Sequence, residues 1–90
     1  MPREFKIFLH PRAAKELDSI PNDVKGRMKA VLKDLSLHPE NGTPLNPSRY
    51  RRVRVGNYRA IYEIDTENGR IVVLFIGHRK NVYDDFSRLL

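Results

Sequence analysis

The sequence predicts an α+β domain of order β-α-α-β-β-β, one antiparallel sheet with two N-terminal helices on one face and a short C-terminal helix or tail. Three features predict it: an aromatic and β-branched run near the start, an apolar stripe at helical spacing over residues 24 to 35, and three strand-like runs after residue 49 separated by hairpin-sized turns. Ninety residues bury enough surface for one core, so residues 1–90 are read as a single domain.

Phe5 to Leu9 reads as the first strand, and Pro11 closes it while suiting the first turn of a helix. Ala13, Ala14, Leu17 and Ile20 then recur every three or four residues, a short helix that Pro21 interrupts. Val24, Met28, Val31, Leu32 and Leu35 form the stripe of a second helix, with Lys25, Arg27, Lys29, Lys33 and Asp34 around the rest. Gly26 costs that helix roughly 1 kcal/mol relative to alanine, and His38-Pro39 ends it. The prolines, Gly42 and asparagines between Pro39 and Ser48 predict a crossing loop. Tyr50 to Val55, Tyr58 to Ile64 and Arg70 to Gly77 follow as a three-strand antiparallel meander, joined through Gly56-Asn57 and Asp65 to Gly69. Its face away from the helices is expected to stay open. Tyr83 to Leu90 suits a terminal helix or a frayed tail.

Composition narrows the function. The absence of cysteine removes disulfides, thiolate zinc sites and cysteine nucleophiles, and fits a reducing cytoplasmic compartment. No apolar run reaches the roughly 18 residues of a membrane span, and no charged-then-apolar signal opens the chain, so no membrane partner is expected. The three histidines have no metal-ligand spacing, and neither metal nor other cofactor is expected. His10 and His38 flank prolines and read as structural. Seventeen Lys and Arg against eleven Asp and Glu leave a formal charge of +6, a field that attracts polyanions.

The distribution of that charge says more than its total. Five arginines (Arg49, Arg51, Arg52, Arg54, Arg59) and no acidic residue lie between residues 49 and 59. Strand alternation sends Arg52 and Arg54 to one face and Val53 and Val55 to the other, towards the helical stripe. Arg59 and Arg79, at strand ends, are expected to join the arginine face. A guanidinium's planar fork binds phosphate oxygens bidentately and stacks on bases, so the cluster suits RNA. Arg49, Arg51 and Arg70 also serve to solubilise an exposed sheet.

From Tyr50 onward the chain resembles the RelE/ParE toxin superfamily. Arg52-Val53-Arg54-Val55-Gly56-Asn57-Tyr58-Arg59-Ala60-Ile61-Tyr62 is similar to that family's strand pair, and Ile76-Gly77-His78-Arg79-Lys80-Asn81-Val82-Tyr83 to its final strand, with an arginine followed four residues later by a tyrosine. The resemblance implies a type II toxin of the RelE branch, a metal-independent endoribonuclease that cleaves messenger RNA in the ribosomal A site and is neutralised by a cognate antitoxin. It implies catalytic positions at Arg52, Arg54, Arg59, Arg79 and Tyr83, with Arg49, Arg51, His78 and Lys80 binding RNA. The chain carries Arg52, Arg54 and His78 where well-known bacterial members have lysine, and an arginine stabilises charge but does not accept a proton. The implied reaction is attack of a 2′-hydroxyl on the adjacent phosphate, leaving a 2′,3′-cyclic phosphate and a 5′-hydroxyl. Two rival readings are a ParE-like inhibitor that binds DNA gyrase without cutting RNA, and a basic RNA- or ribosome-binding module without activity.

Overall fold

The meander predicted after residue 49 forms the middle of the sheet, and the remaining elements are built around it. In the computed structural model, which describes residues 4–89, the order is β1 (Lys6–Leu9), α1 (Pro11–Ser19), α2 (Asn22–Asp34), a 3-10 turn (Pro39–Asn41), β2 (Thr43–Pro44), β3 (Tyr50–Val55), β4 (Tyr58–Asp65), β5 (Arg70–His78) and α3 (Val82–Leu89). Leu90, the last residue of the expected helix or tail, lies outside the described residues.

The prolines set the helix boundaries as expected. Pro11 opens α1, where its missing amide is not needed, and Nδ1 of His10 accepts the Arg12 N–H at 3.2 Å. Pro21 lies between the helices and its carbonyl accepts the Lys25 N–H, the first bond of α2. Ala13 and Leu17 of α1 and Met28 and Leu32 of α2 are buried, followed by Leu35 at the α2 C-terminus. They meet Val53, Val55, Ala60, Tyr62, Ile71, Val73 and Ile76 of the sheet in the larger of two cores. Fully burying one Leu or Met there contributes roughly 1.5–3 kcal/mol.

Three details differ from the expected sheet. The strand order is β1-β5-β4-β3-β2, and β1 runs parallel to β5, with Lys6 opposite Arg70 and Leu9 opposite Val73, so the sheet is mixed. The helices form a crossover that returns the chain to the end of the sheet where it began, so β1, β3 and β5 run in one direction. The crossing loop also contributes a short strand: Thr43 and Pro44 pair with Arg52 and Arg51, and Pro44 is tolerated because β2 is an edge. Finally, the face away from α1 and α2 is partly covered. There α3 lays Val82 and Phe86 on Tyr50, Ile61 and Phe75 in a second, smaller core.

A bulge supplies residues to both cores. Ile61 pairs with Phe75 but Tyr62 pairs with Val73, leaving Leu74 as an extra residue in β5. An added residue flips the alternation, so Val73 and Ile76 face α1 and α2 while Phe75 faces α3. Past Val73, β5 has no strand beside it on the β1 side, and a carboxylate oxygen of Glu16 accepts the Ile76 N–H at 3.2 Å. Burial, and then Asp85 nearby, holds the Glu16 carboxyl above its ordinary range against that hydrogen bond.

The loop ahead of β3 is pinned from beneath. The Tyr62 hydroxyl donates to the Pro39 carbonyl at 2.6 Å and accepts the Gly42 N–H at 3.0 Å, and burial pushes that phenol up. A Cβ on Gly42 would stand 2.3 Å from the Tyr62 hydroxyl and 2.8 Å from the Arg52 carbonyl, which is why the close approach needs glycine.

Candidate RNA-binding and cleavage site

Strand pairing places the predicted arginines. In the β3-β4 ladder Arg52 lies opposite Ile61 and Arg54 opposite Arg59, and Arg59 in turn lies opposite Gly77 of β5. Ile61 belongs to the α3-side core while Val53 and Ala60 belong to the helix-side core, so Arg52, Arg54 and Arg59 share the α3 face. Arg79 follows β5, and its N–H donates to the Asn57 carbonyl at 2.8 Å, adding one rung to the β4-β5 ladder beyond Tyr58 and His78.

The turn between β3 and β4 is fixed from both sides. Gly56 has φ +58°, a left-handed conformation that favours glycine. Nη1 of Arg59 donates to the Gly56 and Tyr58 carbonyls at 2.9 and 3.0 Å. Arg59 is 92% buried, and its Nε is the one buried side-chain nitrogen or oxygen without a partner among the described residues. A buried guanidinium is normally compensated by a carboxylate, yet the three ion pairs formed among the described residues involve Arg49, Arg70 and Arg88 instead. Among the described residues none of Arg52, Arg54, Arg59 and Arg79 forms an ion pair with a carboxylate.

Tyr83 reaches this face from α3. Its ring packs against the smaller core. Its hydroxyl accepts a hydrogen bond from Nη1 of Arg52 at 2.7 Å, with the guanidinium carbon 5.9 Å from the ring centroid. Of the five residues expected to be catalytic, Arg52, Arg54, Arg59 and Tyr83, from β3, β4 and α3, lie on one side of the sheet, and Arg79 follows at the end of β5.

The four expected RNA-binding residues are more dispersed. Arg51 points the other way, donating to the Gly42 and Glu40 carbonyls at 2.8 and 3.3 Å, where it holds the loop beside β2. Arg49 pairs with Glu63 at 2.7 Å and lies over the Tyr50 ring. His78 stacks edge-on against Tyr58, whose ring packs against the helix-side core, so the imidazole lies on the face opposite Arg59. Its Nδ1 accepts the Lys80 N–H at 3.1 Å, and Lys80 itself is exposed. Two supports escaped the sequence reading: the Asn57 carbonyl that receives Arg79, and the Arg52 to Tyr83 bond. Asn57 was legible only as half of a hairpin turn, and nothing local links residues 31 positions apart.

No helix among the described residues is long and apolar enough to cross a membrane, and no group of three or more His, Asp or Glu is arranged to hold a metal.

Comparison with known proteins agrees with this architecture. Residues 7–83 match the family described as ParE toxin of type II toxin-antitoxin system, parDE. The chain is 27% identical over 92 aligned positions to Toxin RelE3 of Methanocaldococcus jannaschii, covering 90% of this chain and 98% of that one. Among solved structures it is similar to the RelBE2 toxin-antitoxin complex of Mycobacterium tuberculosis, with TM-score 0.76, 28% identity, and 84% and 99% of the two chains covered. A double mutant of the E. coli toxin RelE in the free state shares the fold at TM-score 0.79 and 20% identity, over 97% of this chain and 99% of that one. With the match spanning nearly the whole chain, this protein belongs to the ParE toxin family of type II toxin-antitoxin systems, within the RelE/ParE superfamily.

Proposed function

We propose that this toxin belongs to the RelE branch and is an endoribonuclease that cleaves messenger RNA in the ribosomal A site, inhibiting translation until an antitoxin neutralises it. The observation that carries the reading is that Arg52, bonded to Tyr83, and its neighbours Arg54 and buried Arg59 form no ion pair among the described residues. A surface serving stability alone gains nothing from leaving a buried guanidinium uncompensated, whereas a phosphodiester would supply the missing negative charge. The RelE names of the relatives at 27% and 28% identity support the same branch.

In the proposed reaction the 2′-oxygen forms a bond to phosphorus, the bond from phosphorus to the 5′-oxygen breaks, the 2′-hydroxyl proton passes to an acceptor, and the departing 5′-oxygen takes up a proton. Arg59 and Arg54 stabilise charge on the phosphoryl oxygens, where one well-placed donor is worth about 10²–10³ in rate. Arg79 faces the departing oxygen. Arg52 and Tyr83 complete the site beside the 2′-hydroxyl, and Arg49 and Lys80 extend the RNA track. Round the edge of β3, Arg54 also borders a cleft of about 600 Å³ floored by Val31, Leu35 and Val53, a place for a base next to its phosphate. Arginines do not take up protons, so the arginine cluster supplies no strong base. The ribosome supplies the alignment, an effect that reaches several kcal/mol. The antitoxin is proposed because the similar structures include complexes of RelE with RelB.

The test adds purified protein to a reconstituted translation system with a defined message and maps breaks by primer extension, alongside Arg79→Ala and Tyr83→Phe. Breaks within A-site codons that require ribosomes and fade in Arg79→Ala support the reading. No breaks with the wild type would remove it, and inhibition of gyrase supercoiling would then favour the ParE-like alternative. Equal cleavage of naked RNA would remove only the ribosome dependence.

A further inference from the structure

Two neighbouring arginines of β3 share a face but have different surroundings. Arg54 is exposed and makes no ion pair among the described residues. Arg52 is half-buried and committed: its Nη1 donates to the Tyr83 hydroxyl at 2.7 Å, and its guanidinium lies at the outer limit of cation-π contact with the same ring. A guanidinium has donors and no acceptor, so the proton in this bond is Arg52's own. The phenol oxygen is the acceptor, and the phenol's O–H must point elsewhere. The Tyr83 ring packs against the smaller core, so the phenol is held both by packing and by this bond.

We infer that Arg52 is a positioning residue for Tyr83, holding the phenol so that its O–H donates to an oxygen of the RNA phosphodiester, while Arg54 makes the direct phosphate contact. This inference rests on the RNA-cleaving reading and assigns separate tasks within it. Two arginines in i, i+2 relation, alike in sequence, then differ in role because one lies within reach of α3. Tyr83 acts as a donor in this arrangement. No proton needs to leave the phenol for the contact to form.

The test combines a double-mutant cycle with a binding measurement and a spectroscopic one. In single-turnover cleavage on programmed ribosomes, Arg52→Gln and Tyr83→Phe should each lower the maximal rate about tenfold, the worth of one hydrogen bond at the upper end of its range. The double variant should be no slower than either single variant, and Arg52→Lys, which keeps a donor, should recover part of the rate. For binding to a non-cleavable 2′-deoxy oligonucleotide, Arg54→Gln should reduce the slope of log affinity against log salt by about 0.7, one phosphate contact. Arg52→Gln should leave that slope unchanged. Multiplying rate losses, or a slope lost in Arg52→Gln, would overturn the inference. The ring resonances of Tyr83 in the free protein should move in Arg52→Gln and not in Arg54→Gln. That readout needs no RNA, so unmoved resonances refute the pair itself, whereas a wild type that pairs and binds but never cleaves refutes the RNA-cleaving reading alone.

Discussion

The two faces of the sheet follow opposite rules. Towards α1 and α2, polar side chains are partnered beside an apolar core: Tyr62 uses its hydroxyl as both donor and acceptor, Arg51 is bonded to loop carbonyls, and Nδ1 of His78 accepts the Lys80 N–H. Towards α3, a smaller apolar cluster adjoins Arg52, Arg54 and Arg59, which form no ion pair among the described residues, Arg59 being buried with an unpartnered nitrogen. Other arginines are paired, Arg49 with Glu63 at 2.7 Å and Arg70 with Asp65 at 2.8 Å. The comparison teaches that stability and charge are assigned to separate sides. A face whose cations await an anion gives up some stability for binding.

That division is testable face by face. The largest expected effect is on the helix side. Leu35 is 1% exposed, and Leu35→Ala should lower unfolding stability by about 2–5 kcal/mol in denaturant titration while the remaining folded protein keeps its cleavage rate. A loss below 1 kcal/mol would mean that this core collapses around the cavity and is less sealed than its burial implies. Arg79→Ala should show the reverse pattern, a cleavage rate down about 10²–10³ with stability within about 0.5 kcal/mol of wild type. Large destabilisation there would break the separation.

Arg59→Met makes the sharper test, because its site is buried yet belongs to the charged face. Replacing an uncompensated buried cation by an apolar side chain of similar length should change stability by no more than about 1 kcal/mol in either direction. Cleavage should fall at the same time. Thermal unfolding together with primer extension reads both, and a collapse of the fold would assign Arg59 chiefly to holding the Gly56 and Tyr58 carbonyls.

The smallest effect concerns pH and the paired arginines. Hydrogen bonds from Asn68 and then Arg70 hold the Asp65 carboxyl below its ordinary range. A depressed folded-state pKa contributes stability above the unfolded value of 3.8 and loses it as pH falls through the folded one. Asp65→Asn should therefore melt slightly below wild type near neutral pH, and the two curves should converge in strong acid. A difference that persists in acid would attribute the effect to turn geometry and not to ionisation.

Much of this was legible along the chain because periodicity and turn chemistry are local. The stripe from Val24 to Leu35 specified α2, the prolines at 11 and 21 separated the helices, and alternation in Tyr50 to Val55 placed Arg52 and Arg54 together with Val53 and Val55 behind them. The motifs around Arg59 and from Arg79 to Tyr83 pointed to the family. The parallel pairing of β1 was not legible, since the direction of an edge strand depends on where a helical crossover returns the chain. The bulge at Leu74 was equally hidden, because one extra residue in an apolar run leaves the pattern apolar while changing which core each side chain enters.

The sequence by itself determined β1, the two N-terminal helices and the meander, the charge of that meander and the residue types available for chemistry, since each depends on neighbours a few positions apart. Only the tertiary structure decided that Arg51 secures a loop while Arg52 holds Tyr83, that His78 lies on the far face, and that Arg59 is buried with no acidic partner among the described residues. Those outcomes depend on contacts between segments tens of residues apart, which strand register and the docking of α3 create and no local pattern encodes.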